Sequence, residues 1–101
     1  MKVYFVQLDW STTDCEDLDL FVYDTYDKAY KKFNELIAEE KSINSWIGNI
    51  KWNEDGYPVG EYEFWCNDDN NSGESEVYWH ITDQNDWYRH TFIDLLIKEV
   101  M

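Results

Sequence analysis

The chain has 101 residues, the size of a single domain, and its 44% hydrophobic and 19% aromatic residues exclude a disordered chain. The 22 acidic residues outnumber the 8 basic ones and give a net charge of −14, which disfavours contact with nucleic acid or an anionic membrane and favours a basic partner. Every apolar run is too short to cross a membrane, so a cytoplasmic protein is expected.

Two strands are predicted near the start of the chain, because apolar and polar residues alternate over 3–10 and over 18–23. On the first strand, the residues that share one face are Tyr4, Val6 and Leu8. On the second strand, they are Leu18, Leu20 and Val22. A polar loop separates the two strands.

A long helix is predicted over about 25–41, where apolar residues recur at helical spacing. Asp24 or Thr25 precedes it and can cap its first turn, since a short side-chain oxygen accepts a backbone N–H that has no partner in the helix. The residues of its apolar stripe are Tyr26, Ala29, Tyr30, Phe33, Leu36 and Ile37.

Beyond Lys41 the pattern returns to strands, which are predicted over 45–52, 61–66 and 74–82. Asp55-Gly56 is the strongest turn signal between the first two of these strands. The inward side chains of the third strand are predicted to be Val77, Trp79 and Ile81.

The last segment, 90–101, fits both a strand and a helix, and its β-branched and aromatic residues favour a strand. The pattern as a whole predicts one α+β domain over 1–101. Its core is an antiparallel sheet of about five to six strands, with one long helix packed on one face.

The stretch CNDDNNSGESE, residues 66–76, resembles the first half of a calcium-binding loop. Asp68, Asn70, Ser72 and Gly73 match the ligand positions and the glycine of such a loop, but the twelfth position is Trp79, which cannot bind a cation. The flanking segments also have the alternation of strands. A hairpin turn is therefore the favoured interpretation, with a calcium site as the alternative.

Acidic residues cluster around this turn. If the flanking strands pair, Glu61 and Glu63 are expected beside Glu74 and Glu76 on one sheet face, with Asp68 and Asp69 at the tip. A second acidic patch is formed by Asp14, Glu16, Asp17 and Asp19. Rows of carboxylates at strand spacing can imitate the phosphates of DNA, and the alternative is a solvated acidic face.

Two of the tryptophans, Trp65 and Trp87, lie among polar residues and are candidate anchors for a partner. Catalysis is poorly supported, since neither His80 nor His90 belongs to a recognisable nucleophile motif. No cofactor and no metal are expected. Cys15 and Cys66 lack C-x-x-C spacing and predict free thiols.

In size, charge and α+β pattern the chain resembles the small acidic inhibitors of phages and mobile elements, namely anti-CRISPR and anti-restriction proteins. The resemblance rests on these overall properties and on no motif. It implies a non-enzymatic inhibitor that occupies the nucleic-acid-binding surface of a nuclease complex. The alternatives are an immunity or antitoxin-type protein that neutralises a toxin nuclease, and an accessory domain that binds calcium or another ligand.

Overall fold

The computed structural model describes residues 1–12, 14–42, 50–69 and 74–100. Within these ranges the chain forms seven strands and one helix. The strands are β1 (Lys2–Ser11), β2 (Glu16–Tyr23), β3 (Lys51–Trp52), β4 (Pro58–Val59), β5 (Tyr62–Asn67), β6 (Val77–Asp83) and β7 (Asp86–Glu99). The helix α1 (Tyr26–Ser42) connects β2 to the segment before β3.

Five strands form one antiparallel sheet in the order β2-β1-β7-β6-β5, and β3 pairs with β4 in a small separate hairpin. The predicted α+β fold is confirmed, and so is the final strand. The strand β7 extends over fourteen residues and pairs with β1 from Lys2 opposite Glu99 to Ser11 opposite His90. Of the strand predicted over 45–52, residues 45–49 lie outside the described residues, and Lys51–Trp52 is a strand.

The helix α1 begins after Thr25, whose hydroxyl oxygen accepts the backbone N–H of Lys28 at 3.4 Å and whose carbonyl accepts that of Ala29 at 3.3 Å. Thr25 is therefore the cap, one of the two candidates from the sequence. The predicted apolar stripe faces the sheet, with Ala29 and Phe33 fully buried. The helix packs on β1, β7 and β2 and covers one face of the sheet.

The core between α1 and the sheet is rich in aromatic rings. Trp79 is 2% exposed and lies 5.6 Å, between ring centroids, from both Trp52 and Phe64. Tyr26 meets Tyr4 edge to face at 5.9 Å near the other end of the helix. Such contacts stabilise a small domain beyond the area that they bury.

The turn predicted at Asp55-Gly56 joins β3 to β4. The Asn53 side chain accepts the N–H groups of Asp55 at 3.0 Å and Tyr57 at 2.9 Å, which closes the turn locally. Gly56 has φ of +83°, a conformation that side chains with a Cβ adopt at a cost. The Tyr57 ring then packs edge to face on Phe64 at 5.7 Å, so the small hairpin is held against β5.

Candidate functional site

The strand register separates the four glutamates that were expected to lie together. Across the β5–β6 pair, Glu63 lies opposite Thr82, far from the loop that joins the two strands. Glu74 and Glu76 precede β6 and lie at the loop end instead. The expectation of a single patch with Glu61 was wrong, because residues of an antiparallel hairpin are neighbours only when they are equally far from its turn.

One end of the sheet nevertheless collects acidic residues from three segments: the β1–β2 loop with the start of β2, the β6–β7 turn, and the start of β5. We call this the acidic end. Its carboxylates belong to Asp14, Glu16, Asp17, Glu61, Glu63, Asp83 and Asp86. A continuous row of cross-strand neighbours runs from Glu16 at one edge of the sheet to Glu63 at the other. Four strand spacings make this row about 19 Å wide.

An irregularity in β7 adds two aromatic side chains to the acidic end. Asp83 pairs with Asp86, but its neighbour Thr82 pairs with His90, so β7 has three extra residues at this point. A bulge of this kind directs side chains away from the sheet. Trp87 is 77% exposed and Tyr88 is 74% exposed.

Several carboxylates of the acidic end are held by neutral N–H groups. Asp17 accepts the backbone N–H of Leu18 at 2.8 Å, Asp83 accepts that of Asn85 at 2.9 Å, and Asp86 accepts that of Tyr88 at 3.1 Å. The Asn85 side-chain amide donates to Glu61. These contacts fix the positions of the carboxylates and leave their charge in place. The basic residue of the bulge is Arg89, whose Nε is buried.

The opposite end of the sheet differs, because basic groups neutralise its carboxylates. Lys2 lies 3.6 Å from Glu74, and the N-terminal ammonium lies 3.1 Å from Glu99. Lys28 lies 3.0 Å from Asp24, and this contact lowers the pKa of that carboxyl group. Charge at this end is therefore mixed.

Glu74 and Glu76 also have local structural contacts at this end. Glu74 accepts the Tyr4 hydroxyl at 3.0 Å, and burial together with this carboxylate raises the pKa of Tyr4. Glu76 accepts the backbone N–H of Ile97 at 2.9 Å. The two glutamates thus tie the chain before β6 to β1 and β7.

The possible calcium loop lies between β5 and β6. Asp68 and Asp69 follow β5, and the Tyr30 hydroxyl donates to the backbone carbonyl of Asp68 at 2.9 Å. Asn70, Ser72 and Gly73 lie outside the described residues. Strands, not helices, flank the loop, and Trp79 at its twelfth position belongs to the core. In the described part of the chain, no three metal-binding side chains form a group that could hold an ion.

The face of the sheet that α1 does not cover is a second candidate surface, which we call the open face. It consists of Phe5, Gln7 and Asp9 of β1, Leu18, Leu20 and Val22 of β2, Trp65 of β5, Tyr78 and His80 of β6, and Phe92, Asp94 and Leu96 of β7. The three aliphatic residues of β2 share a face as predicted, but Phe21 and Tyr23 are the ones that contact the core. Asp19 lies on the helix side of β2, opposite Leu8, and is exposed.

Two histidine–aspartate pairs lie along this face. His80 Nε2 is 2.9 Å from Asp94 Oδ1, and His90 Nε2 is 3.3 Å from Asp9 Oδ1. The other ring nitrogen of His90 faces the Trp87 carbonyl at 3.4 Å. Since both nitrogens of His90 face oxygen acceptors, neither is placed to remove a proton from a nucleophile.

Cys66 lines a cavity of about 300 Å³ between α1, β5 and the β3–β4 hairpin, together with Lys41 and Tyr57. Partial burial and the nearby Asp68 raise the pKa of the Cys66 thiol. The protonated thiol is a weak nucleophile and a weak metal ligand. The cavity therefore lacks an activated cysteine.

Sequence reasoning did not single out Asp83, Asp86 and Tyr88. The polar stretch that contains Asp83 and Asp86 is a turn signal. Because turns lie at the ends of a sheet, it could have predicted that these two side chains lie near Trp87 at a sheet end. The bulge that exposes Tyr88 has no comparable signal, because it depends on how β6 and β7 pair.

The fold is a two-layer α+β domain, and its candidate sites lie at its surface. Comparison with protein-family models, with curated protein sequences and with solved structures found no match to this chain. In the described part of the chain, no helix is both long and apolar enough to span a membrane.

Proposed function

We propose that this chain is a non-enzymatic binding protein that inhibits a basic, nucleic-acid-handling protein, such as a CRISPR effector or another nuclease, by covering its nucleic-acid-binding surface. The observation that best supports this proposal is the acidic end, where the sheet register lines up carboxylates from three segments beside Trp87 and Tyr88. The basic groups that pair with acids lie mainly at the other end.

The charge density of the acidic end is comparable with that of DNA. A duplex carries about one phosphate charge per 1.7 Å of its axis, so about eleven charges fall within a length of about 19 Å. The acidic end places seven carboxylates across the same distance. A groove that binds a duplex through lysine and arginine would therefore attract this surface.

Rigidity and aromatic anchors favour binding over mere solubility. Carboxylates that are already fixed by N–H donors lose little conformational freedom when a partner binds. Trp87 and Tyr88 can fill apolar pockets of the partner, since tryptophan and tyrosine dominate the energetics of many interfaces. The surrounding charges would mainly accelerate association and select basic partners.

The test begins with immobilised protein and lysate of the source organism, followed by elution with duplex DNA at low salt. We expect elution of a nuclease whose DNA cleavage the free protein then inhibits. A variant with Glu16→Gln, Asp17→Asn, Glu61→Gln and Glu63→Gln should bind that nuclease at least about tenfold more weakly at low salt. The matched control removes four exposed acids elsewhere, by Asp27→Asn, Glu35→Gln, Glu54→Gln and Asp55→Asn, and should bind normally.

Equal weakening by the two variants would show that only net charge matters and would overturn the acidic end as the binding site. A partner that is retained through both DNA and high salt would overturn occlusion of a nucleic-acid groove, and would favour an immunity-type interface. The absence of any DNA-eluted partner would overturn the inhibitor proposal itself.

A further inference from the structure

We propose that the open face is a self-association surface, on which a second copy of this chain packs sheet against sheet to form a symmetric dimer. The inference does not depend on the inhibitor proposal, because it rests on the apolar residues of the open face, whereas Glu16 and Glu63 of the acidic end only border the same side of the sheet. The net charge of the chain does not explain why this face exposes apolar side chains.

The open face is more apolar than the outer side of a two-layer domain usually is. An antiparallel sheet with a helix on one side normally presents polar residues on the other side. Here, three aliphatic residues of β2 are more than half exposed, and Trp65 at the far edge is 49% exposed. The partly buried side chains between them include Phe5, Phe92 and Leu96. Polar residues such as Gln7 and Asp94 interrupt this surface, but exposed apolar residues gathered on one face are typical of interfaces.

The apolar part of the open face carries few charges. The carboxylates within this part belong to Asp9 and Asp94, and each contacts a histidine, while Glu16 and Glu63 lie at its border with the acidic end. On β7, the lysine nearest to the open face is Lys98, two residues beyond Leu96. In a protein of net charge −14, this part of the sheet thus holds only a small share of the acids. A second copy supplies an equally apolar surface with equally few charges in this part.

The dimensions of the open face are sufficient for a dimer. Five strands at about 4.8 Å spacing, each contributing about seven residues at 3.4 Å, give a flat area of about 600 Å² per copy. The smallest stable interfaces bury about 1,200 Å² in total. Two such sheets would stack about 10 Å apart with their strands nearly aligned.

The dependence on salt distinguishes self-association through the open face from partner binding through the acidic end. The acids of the two copies lie mainly at the strand ends and around the helix, and salt screens their repulsion beyond about 8 Å at physiological ionic strength. Self-association should therefore strengthen as salt rises. Binding of a basic partner through the acidic end should weaken under the same change.

The experiment is sedimentation equilibrium over a range of protein concentrations at low and at high salt. We expect a monomer–dimer equilibrium that shifts toward the dimer at high salt. Val22→Lys and Trp65→Lys alter opposite edges of the open face, and each should weaken the dimer by at least about tenfold, because the symmetric contact contains every substitution twice. The matched control is Val59→Lys on β4, where the valine is 55% exposed compared with 57% for Val22.

Each other outcome would overturn the proposal. A monomer at every concentration and salt level would exclude self-association, and would leave the face to a different apolar partner. Weakening by Val22→Lys alone would place the contact at the β2 edge, with strands paired side by side. A dimer that resists both substitutions would use another surface. Circular dichroism should show that the variants are folded, and Tyr78→Lys replaces Trp65→Lys if that variant is not.

Discussion

At the scale of single residues, identical side chains have different consequences because the fold places them differently. Trp79 is enclosed by Trp52 and Phe64, whereas Trp87 projects from the bulge of β7 into solvent. The first stabilises the core and the second is free to contact a partner. The sequence already distinguished them, since strand alternation predicted Trp79 to point inward and Trp87 lies among polar residues.

We expect Trp79→Ala to lower the free energy of unfolding by about 3–5 kcal/mol, because it removes a large buried ring and leaves a cavity. Trp87→Ala is the matched control, and it should change the free energy of unfolding by no more than about 0.5 kcal/mol. Urea denaturation followed by circular dichroism measures both. A similar loss in the two variants would contradict the burial of Trp79.

The raised pKa of Cys66 leads to a second prediction at this scale. At mildly alkaline pH less of this thiol is ionised than in a free cysteine, so iodoacetamide should alkylate it more slowly. The measurement is the alkylation rate of the Cys15→Ala variant as a function of pH, compared with N-acetylcysteine. The rate should rise at higher pH than that of the reference, and a curve at lower pH would contradict the prediction.

At the scale of elements, turn chemistry decides whether the small β3–β4 hairpin reaches β5. Gly56 adopts positive φ, Asn53 closes the turn, and Tyr57 then contacts Phe64. Among the described residues, an added Cβ at Gly56 would meet Lys41 Nζ alone, at 3.8 Å, so these residues leave space for a side chain there. The backbone conformation is what requires glycine.

Gly56→Ala should therefore destabilise the protein by about 1 kcal/mol through backbone strain alone. Gly56→Asn should cost less, because asparagine tolerates positive φ better than alanine does. Thermal unfolding of the two variants tests the order. An asparagine variant that is less stable than the alanine variant would indicate a steric cause and contradict this explanation.

At the scale of the whole molecule, the net charge of −14 opposes the compact state, because many of the acids are brought closer together on folding. The sheet intensifies this effect by collecting carboxylates at one end. Neutral N–H donors hold Asp17 and Asp83 and add no positive charge to them, so repulsion between these acids contributes in the folded protein.

We expect the melting temperature to rise as sodium chloride is added, because salt screens this repulsion. The acidic-end variant with four neutralised residues should show a smaller rise than the wild-type protein. The melts require low protein concentration, where self-association does not contribute to stability. A melting temperature that is independent of salt would mean that repulsion between the acids is not a significant term.

Periodicity was the reliable signal in this sequence. The strand at the start, the helix α1 and the inward positions of Val77, Trp79 and Ile81 follow from the repeat of apolar residues, and the structure confirms them. The final strand was ambiguous by pattern alone. Its β-branched residues decided in its favour, and its pairing with both β1 and β6 explains why a strand is stable there.

Strand register was the signal that the sequence lacked. Alternation told which residues share a face of a strand, but it did not tell whether that face meets the helix or solvent. Leu18, Leu20 and Val22 illustrate this, since their stripe belongs to the open face. The unknown register also led to the incorrect prediction of a single patch of glutamates, because the position of a residue along paired strands depends on where the turn falls.

The sequence by itself therefore determined the α+β class, the aromatic core and the excess of negative charge, since composition and periodicity are local properties. Only the tertiary structure decided which acids are neighbours, which end of the sheet keeps its charge, and which apolar stripe stays uncovered. These features depend on contacts between residues that are far apart in the chain. The physical reason is that a cross-strand neighbour is chosen by the pairing of whole strands and not by any nearby residue.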